Sequence, residues 1–199
     1  MSRILHLDAS ARDESSFSRQ LSRFFIESWL KHHPDDEVIY RDVGRLPPPH
    51  VTESSVQGVY APPSQHSPEA KAALAVSDAL IDEFLSAERY VFGIPMYNFH
   101  VPSTFKAYVD QIVRIGRTFD EGWKGLVQGK KMLVITARGG NYEPGSRTHA
   151  SDHQEPWIRT IFGFIGIADI SFIHAQGVVM GDQALQPARK RIEELVQTW

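Results

Sequence analysis

Cysteine is missing from all 199 residues. Its absence excludes disulfides, thiolate metal sites, iron–sulfur clusters and thiol catalysis. No segment approaches the unbroken apolar length of a membrane span. No block of like charge is present, and a formal net charge of −3 gives no electrostatic reason to bind nucleic acid or an anionic membrane. The first residues enter an apolar run at Ile4 without the long apolar stretch of a signal peptide, so a cytoplasmic chain is expected. Several signatures are missing as well. There is no G-x-G-x-x-G, no P-loop Gly-Lys-Ser/Thr and no G-x-S-x-G elbow, which removes a pyrophosphate cradle and a serine hydrolase. The length suits one domain spanning 1–199, and 42% hydrophobic residues suffice for a substantial core.

What is present alternates strand with helix. Ile4 to Leu7 reads as a buried parallel strand. A helix follows, capped by Ser16 or Ser18, with Phe17, Leu21, Phe24, Phe25 and Trp29 on its apolar face. Glu37 to Val43 reads as a second strand with Val38 and Tyr40 inward. The stretch 44–67 is rich in Pro, Ser and Gly and shows no period. Pro68 and Glu69 open a helix carrying Ala73, Leu74, Leu80, Ile81, Phe84 and Leu85. Strands at Tyr90 to Ile94, Met132 to Thr136 and Ile170 to Ala175 are separated by helices around Phe105 to Ile112 and roughly Asp152 to Gly166. A last helix covers Ala184 to Trp199. Five strands alternating with five helices predict an α/β sandwich of three layers with a parallel sheet. The order 2-1-3-4-5 is the common five-stranded solution, and it places a ligand where the winding reverses, between strands 1 and 3.

The loops after strands 1, 3 and 4 are therefore where chemistry is expected. The first holds Ser10, Ser15, Ser16 and Ser18 at a helix start, where free N–H groups and the positive dipole end favour an anion. Helix capping alone accounts for such serines equally well. The second, Pro95-Met-Tyr-Asn-Phe99, joins a rigid turn to aromatic faces and an amide, which suits a flat heteroaromatic ring. The competing reading is an aromatic plug with Asn98 bonding its own turn. In the third, Gly139 and Gly140 permit close backbone approach or positive φ, and Arg138 brings positive charge; a plain strand exit reads the same way. His149 and His153 flank Asp152, but no third ligand is evident, so no metal site is assigned.

These residues also resemble a known family. Ser10 with Ser16-Phe17-Ser18, the run Pro95-Met-Tyr-Asn-Phe99, and Phe105-Lys-x-Tyr-x-Asp110 carry the likeness, with Gly125-Leu-x-x-Gly-Lys-Lys131, Arg138-Gly-Gly140 and Phe162-Gly-Phe-Ile-Gly166. Over nearly the whole chain they resemble the FMN-dependent NADH:quinone oxidoreductases of the bacterial azoreductase family, with a flavodoxin-like fold. The resemblance implies that Ser10, Ser16, Phe17 and Ser18 surround the FMN phosphate. It implies that Met96, Tyr97, Asn98 and Phe99 line the isoalloxazine, and that Ala137, Arg138, Gly139 and Gly140 contact its pyrimidine end. It also implies NADH as donor, quinones or azo-aromatic compounds as acceptors, and a homodimer, for which the apolar stretch 157–166 offers a contact surface. The resemblance is the only ground for NADH over NADPH.

Three positions depart from the family pattern. Tyr142 stands where a histidine is usual, Ala137 where a serine is frequent, and the run between Phe119 and Gly125 is short. These differences bear on acceptor choice more than on the cofactor. Hydride exchange through a flavin needs no side-chain acid, base or nucleophile, so no catalytic residue is named; Asn98, His100 and Tyr142 are candidates for orienting an acceptor. Two rival functions share this fold: a one-electron carrier and a flavin-binding redox sensor. A carrier usually docks through strong charge, which this chain does not have. A phosphorelay receiver needs an acidic cluster and an aspartate after strand 3, where none occurs.

Overall fold

The computed structural model describes residues 1–199. Its strands are β1 (Arg3–Asp8), β2 (Glu37–Asp42), β3 (Arg89–Pro95), β4 (Lys131–Ala137) and β5 (Asp169–Ala175), all parallel in the order β2-β1-β3-β4-β5. The helices are α1 (Phe17–His32), α2 (Glu53–Tyr60), α3 (Pro68–Ser86), α4 (Ser103–Ile112), α5 (Gln154–Phe164) and α6 (Gln186–Val196).

Strand side chains alternate between two cores, as the pleat requires. Ile4, Val91, Leu133 and Ile135 face α1 and α6, where Leu21, Phe25, Trp29, Ile192 and Trp199 close the layer. Leu5, Leu7, Tyr90, Phe92, Met132 and Val134 face α3, α4 and α5, meeting Phe84, Phe105, Ile112 and Phe162. With both faces covered, β1, β3 and β4 read as nearly continuous apolar runs. The edge strands β2 and β5 are only half-buried.

Several local expectations needed correction. The stretch 44–67 is not structureless: it contains α2, so the helices number six, not five. Thr52 caps α2 by accepting from Ser55 N–H, while the Ser55 side chain answers the Thr52 N–H. α2 lies on α3 at Gly58, where a Cβ would stand 3.0 Å from Leu74 Cδ1. Its eight residues are too few for a clear period, and packing on α3 rather than intrinsic propensity holds it. Tyr40, read as inward, is 53% exposed, because β2 is an edge strand and the phenol reaches along the sheet to Asp8. On α1, Phe17 and Phe24 are half-buried and Ile26 takes part in the core instead. Ser16, not Ser18, is the α1 cap. No helix is long and apolar enough to cross a membrane.

Candidate functional site

All five strands point the same way, so the loops after β1, β3 and β4 emerge side by side. Backbone bonds continue the ladder into them: Ala9 N–H donates to Gly93 O at 3.0 Å and Met96 N–H to Ala137 O at 2.9 Å. The crevice at this edge is the place where the winding reverses.

Its first wall is the turn from β1 into α1. Ser10, Ser16 and Ser18 are almost fully buried. Ser16 Oγ lies 3.3 Å from Ser18 Oγ and accepts from Arg19 N–H at 3.5 Å, while Ser10 Oγ accepts from Arg12 N–H at 3.1 Å. The hydroxyls of Ser16 and Ser18 thus sit together at the start of α1, where the unpaired N–H groups of a first helical turn favour an anion, a setting suited to a compact dianion. Tyr97 ties this wall to the next: its hydroxyl accepts from Ala11 N–H at 3.3 Å and stands 3.5 Å from Ser10 Oγ.

The second wall is a tight hairpin. Tyr97 and His100 exchange both backbone bonds, at 2.9 and 3.0 Å, around Asn98 and Phe99, whose φ values are 48° and 68°. Two successive left-handed residues make the primed turn that closes a two-residue loop. A phenylalanine in that region is strained, and the turn presents its ring 50% exposed beside the crevice. Phe99 also meets Tyr142 edge-on at 6.4 Å, and its carbonyl accepts from His153 N–H at 3.1 Å. His100 packs against Trp157 at 5.1 Å; desolvation, then the neighbouring His153 and Lys106, lower its pKa.

The third wall is the exit of β4. Neither Gly139 nor Gly140 has a positive φ, which removes that use of the pair and leaves close backbone approach or a plain strand exit. Gly139 is exposed, and a Cβ there would meet only Val179 at an ordinary 3.6 Å. Arg138 turns inward: its guanidinium is 1% exposed, pairs with Asp152 at 2.8 Å and donates to Thr136 Oγ1 at 3.1 Å. Burial lowers its pKa, and Asp152 opposes that shift. One nitrogen, Nη2, has no protein partner. Ala137 is buried at the strand end. Beside this loop lies a cavity of about 540 Å³ lined by Tyr142, His149, Glu155, His174 and Gln176 among others. His149 does not face His153 across a shared ligand position; its Nδ1 lies 2.9 Å from the Tyr142 carbonyl.

The structure also reveals residues that the sequence did not point to. Gln154, wholly buried, donates through Nε2 to the carbonyls of Ile94 and Pro95 at 3.2 and 3.0 Å and so fixes the end of β3. Arg19 and Asp42 brace the first loop from behind. Gly93 leaves room for Asp8: a Cβ there would sit 2.3 Å from its carboxylate oxygen. Nothing in the spacing or periodicity of the sequence singles out Arg19 or Asp42, because their pairing depends on which elements the fold brings together.

A crevice with a dianion corner, an aromatic hairpin and an open glycine strip suits a phosphorylated flat ring. Comparisons with known proteins agree with that chemistry. A family model of the flavodoxin-like fold matches residues 2–197. The chain is 53% identical to an FMN-dependent NADH:quinone oxidoreductase of Nostoc punctiforme, with all of both chains covered. It is 46% identical to an enzyme of the same name from Azotobacter vinelandii, with 98% of this chain and 97% of that one covered. Among solved structures, an FMN-dependent NADH-azoreductase of Bacillus anthracis in complex with FMN superposes with a TM-score of 0.89 at 26% identity, covering 98% of each chain. The azoreductase AzrA superposes with a TM-score of 0.90 at 23% identity over all of both chains, a likeness of fold. On sequence and architecture together, the chain belongs to the family of FMN-dependent NADH:quinone oxidoreductases, built on the flavodoxin-like fold.

Proposed function

We propose that this protein is an FMN-dependent oxidoreductase that uses NADH to reduce quinones and azo-aromatic compounds by two electrons. The observation that carries this reading is the meeting of three loops at one sheet edge, stitched by the Tyr97 hydroxyl to Ser10 and Ala11 and by Phe99 to Tyr142 and His153. The relatives quoted above are enzymes by name, which favours turnover over a carrier or sensor role.

The residues fit the cofactor. Ser10, Ser16 and Ser18, with the backbone at Phe17, would receive the phosphate; Ser18 Oγ has only Ser16 Oγ as a side-chain partner and so keeps capacity for an anion. Met96, Tyr97 and Phe99 would supply apolar faces for the ring, with Asn98 at its edge. Ala137, Arg138, Gly139 and Gly140 would approach the pyrimidine end through their backbone, with Arg138 holding the loop from within. When bound, FMN supplies reversible two-electron chemistry, so NADH, a proton and a quinone give NAD⁺ and hydroquinone in a ping-pong cycle. The chain's part is to hold the ring, stabilise charge near it with backbone dipoles and exclude water. Asn98, His100 and Tyr142 stand where they can orient an acceptor.

We further propose that residues 1–199 form one domain, that two copies pair, and that the protein works in the cytoplasm, where a chain without cysteine is at no disadvantage. The test is direct. The purified protein should be yellow and release FMN on denaturation. In stopped flow, NADH should bleach it and a quinone should restore the colour. A colourless protein that binds no added FMN would overturn the proposal.

A further inference from the structure

Behind the serine loop sits a buried polar cluster that the redox chemistry does not use. Arg19, 5% exposed, spends all of its N–H groups on protein acceptors. Nε donates to Arg12 O at 2.8 Å, and Nη2 to Ser10 O at 2.6 Å and Asp42 Oδ1 at 2.7 Å. Nη1 donates to Asp42 Oδ2 at 2.6 Å and the Tyr40 hydroxyl at 3.0 Å. A guanidinium has five such hydrogens, so none is left for a phosphate. Asp42 is held in turn by Gly44 N–H at 3.1 Å and Arg45 N–H at 3.0 Å. At Gly44 the backbone comes so close that a Cβ would lie 2.0 Å from Ser10 O. Asp8 stands 3.6 Å from Arg19 and accepts from Tyr40 and Ser22. Arg45 also lies 3.9 Å from Asp42 and 2.6 Å from Asp13, so two arginines stand against three aspartates and the cluster does not attract a dianion by net charge.

We propose that Arg19, clamped by Asp42, is a positioning residue for the flavin phosphate: it holds residues 10–12 in their anion-receiving shape and thereby sets the preference for FMN over unphosphorylated riboflavin. This inference rests on the FMN reading above. The clamp grips the two carbonyls that flank Ala11, the stretch of loop that carries Ser10. Loosening it leaves the glycine strip and the backbone-closed turn at residues 97–100 in place, and reaches the hairpin only at the Tyr97 hydroxyl, which meets Ala11 N–H and Ser10 Oγ. The loss should therefore fall on the phosphate and spare the ring.

Two variants test this by titrating the flavin-free full-length protein with FMN and with riboflavin, followed by fluorescence. Arg19→Lys keeps the charge and loses the planar fork. Asp42→Asn removes a negative charge near the phosphate corner, so simple electrostatics predicts tighter FMN binding whereas the clamp predicts weaker. In both variants the FMN dissociation constant should rise about tenfold or more while that for riboflavin stays within about twofold, since lost preorganisation is paid on binding the group it served. The clamp is refuted if Asp42→Asn binds FMN as tightly as the parent protein, or if the two flavins weaken in equal proportion. Should the parent protein bind neither flavin, the functional reading itself fails. If Arg19→Lys does not fold, the Asp42→Asn titration alone decides.

Discussion

Ser16 and Ser18 sit two residues apart and carry different loads. Ser16 caps α1, whereas Ser18 lies inside the first turn with its hydroxyl free of backbone duty. Ser16→Ala should cost about 1 kcal/mol of stability through the lost cap. For FMN binding, each alanine should remove roughly 1.5–3 kcal/mol through a lost charge-assisted hydrogen bond. Urea unfolding and flavin titration separate the two effects, and unchanged FMN affinity in the double variant would remove the phosphate from this corner. Phe99 carries strain at φ 68° while half-exposed. Phe99→Gly should therefore change the unfolding free energy by less than about 1 kcal/mol, because relief of left-handed strain offsets the lost packing. The same change should weaken flavin binding; a drop of several kcal/mol in stability would contradict the strain argument.

Glu155 accepts from His174 at 2.7 Å and pairs with Arg159. These partners, the hydrogen bond from His174 first, lower its pKa from 4.5 to about 2. A carboxylate with a depressed folded value stabilises the fold above its unfolded value and loses that contribution as the pH falls toward the folded one. Stability should thus decline between about pH 4.5 and pH 2, and the decline should be shallower in Glu155→Gln. Unfolding midpoints in urea across that window provide the check; identical slopes in the two proteins would dismiss the pair as a contributor.

Between elements, Gln154 deserves its own test because it joins α5 to the end of β3. Gln154→Ala removes the side-chain donor from the carbonyls of Ile94 and Pro95 and should cost about 1–3 kcal/mol, with the hairpin at residues 97–100 loosened as a consequence. Amide hydrogen exchange at Tyr97 and His100 should accelerate in that variant; unchanged protection would place the hairpin's rigidity in its own two backbone bonds. The elements themselves were legible to different degrees. β1, β3 and β4 announced themselves as apolar runs because both their faces are covered. α2 did not: eight residues with a glycine inside offer little periodic signal, and α3 supplies the surface that makes the helix worth forming. Tyr40 misled for a different reason. The expected order already made its strand an edge, and an edge strand is only partly covered; Tyr40 lies half in solvent with its hydroxyl drawn to Asp8.

At the scale of the molecule, the proposed pairing of two copies has a surface to use. Trp123 is 75% exposed while packed 5.9 Å from Phe164, and Trp157, Ile161 and Phe164 on α5 and its end are half-buried. A protein that pairs through such a surface should sediment as a dimer and melt at a temperature that rises with concentration. A monomer at micromolar concentration would set that proposal aside.

The alternation of short apolar runs with amphipathic stretches was enough to determine the layer architecture, the strand order and the three loops to inspect, since right-handed crossovers leave few ways to bury such a pattern. Composition likewise settled what the site does not contain, because no fold can supply a thiolate from a chain without cysteine. What only the tertiary structure decided were partnerships across distance. That Arg138 faces Asp152 rather than the crevice, that Arg19 grips Asp42 from 23 residues away, and that Gln154 reaches back 60 residues to Ile94 are matters of which groups meet. Buried polar atoms must find partners wherever the fold brings them, and neither spacing nor periodicity along the chain records that choice.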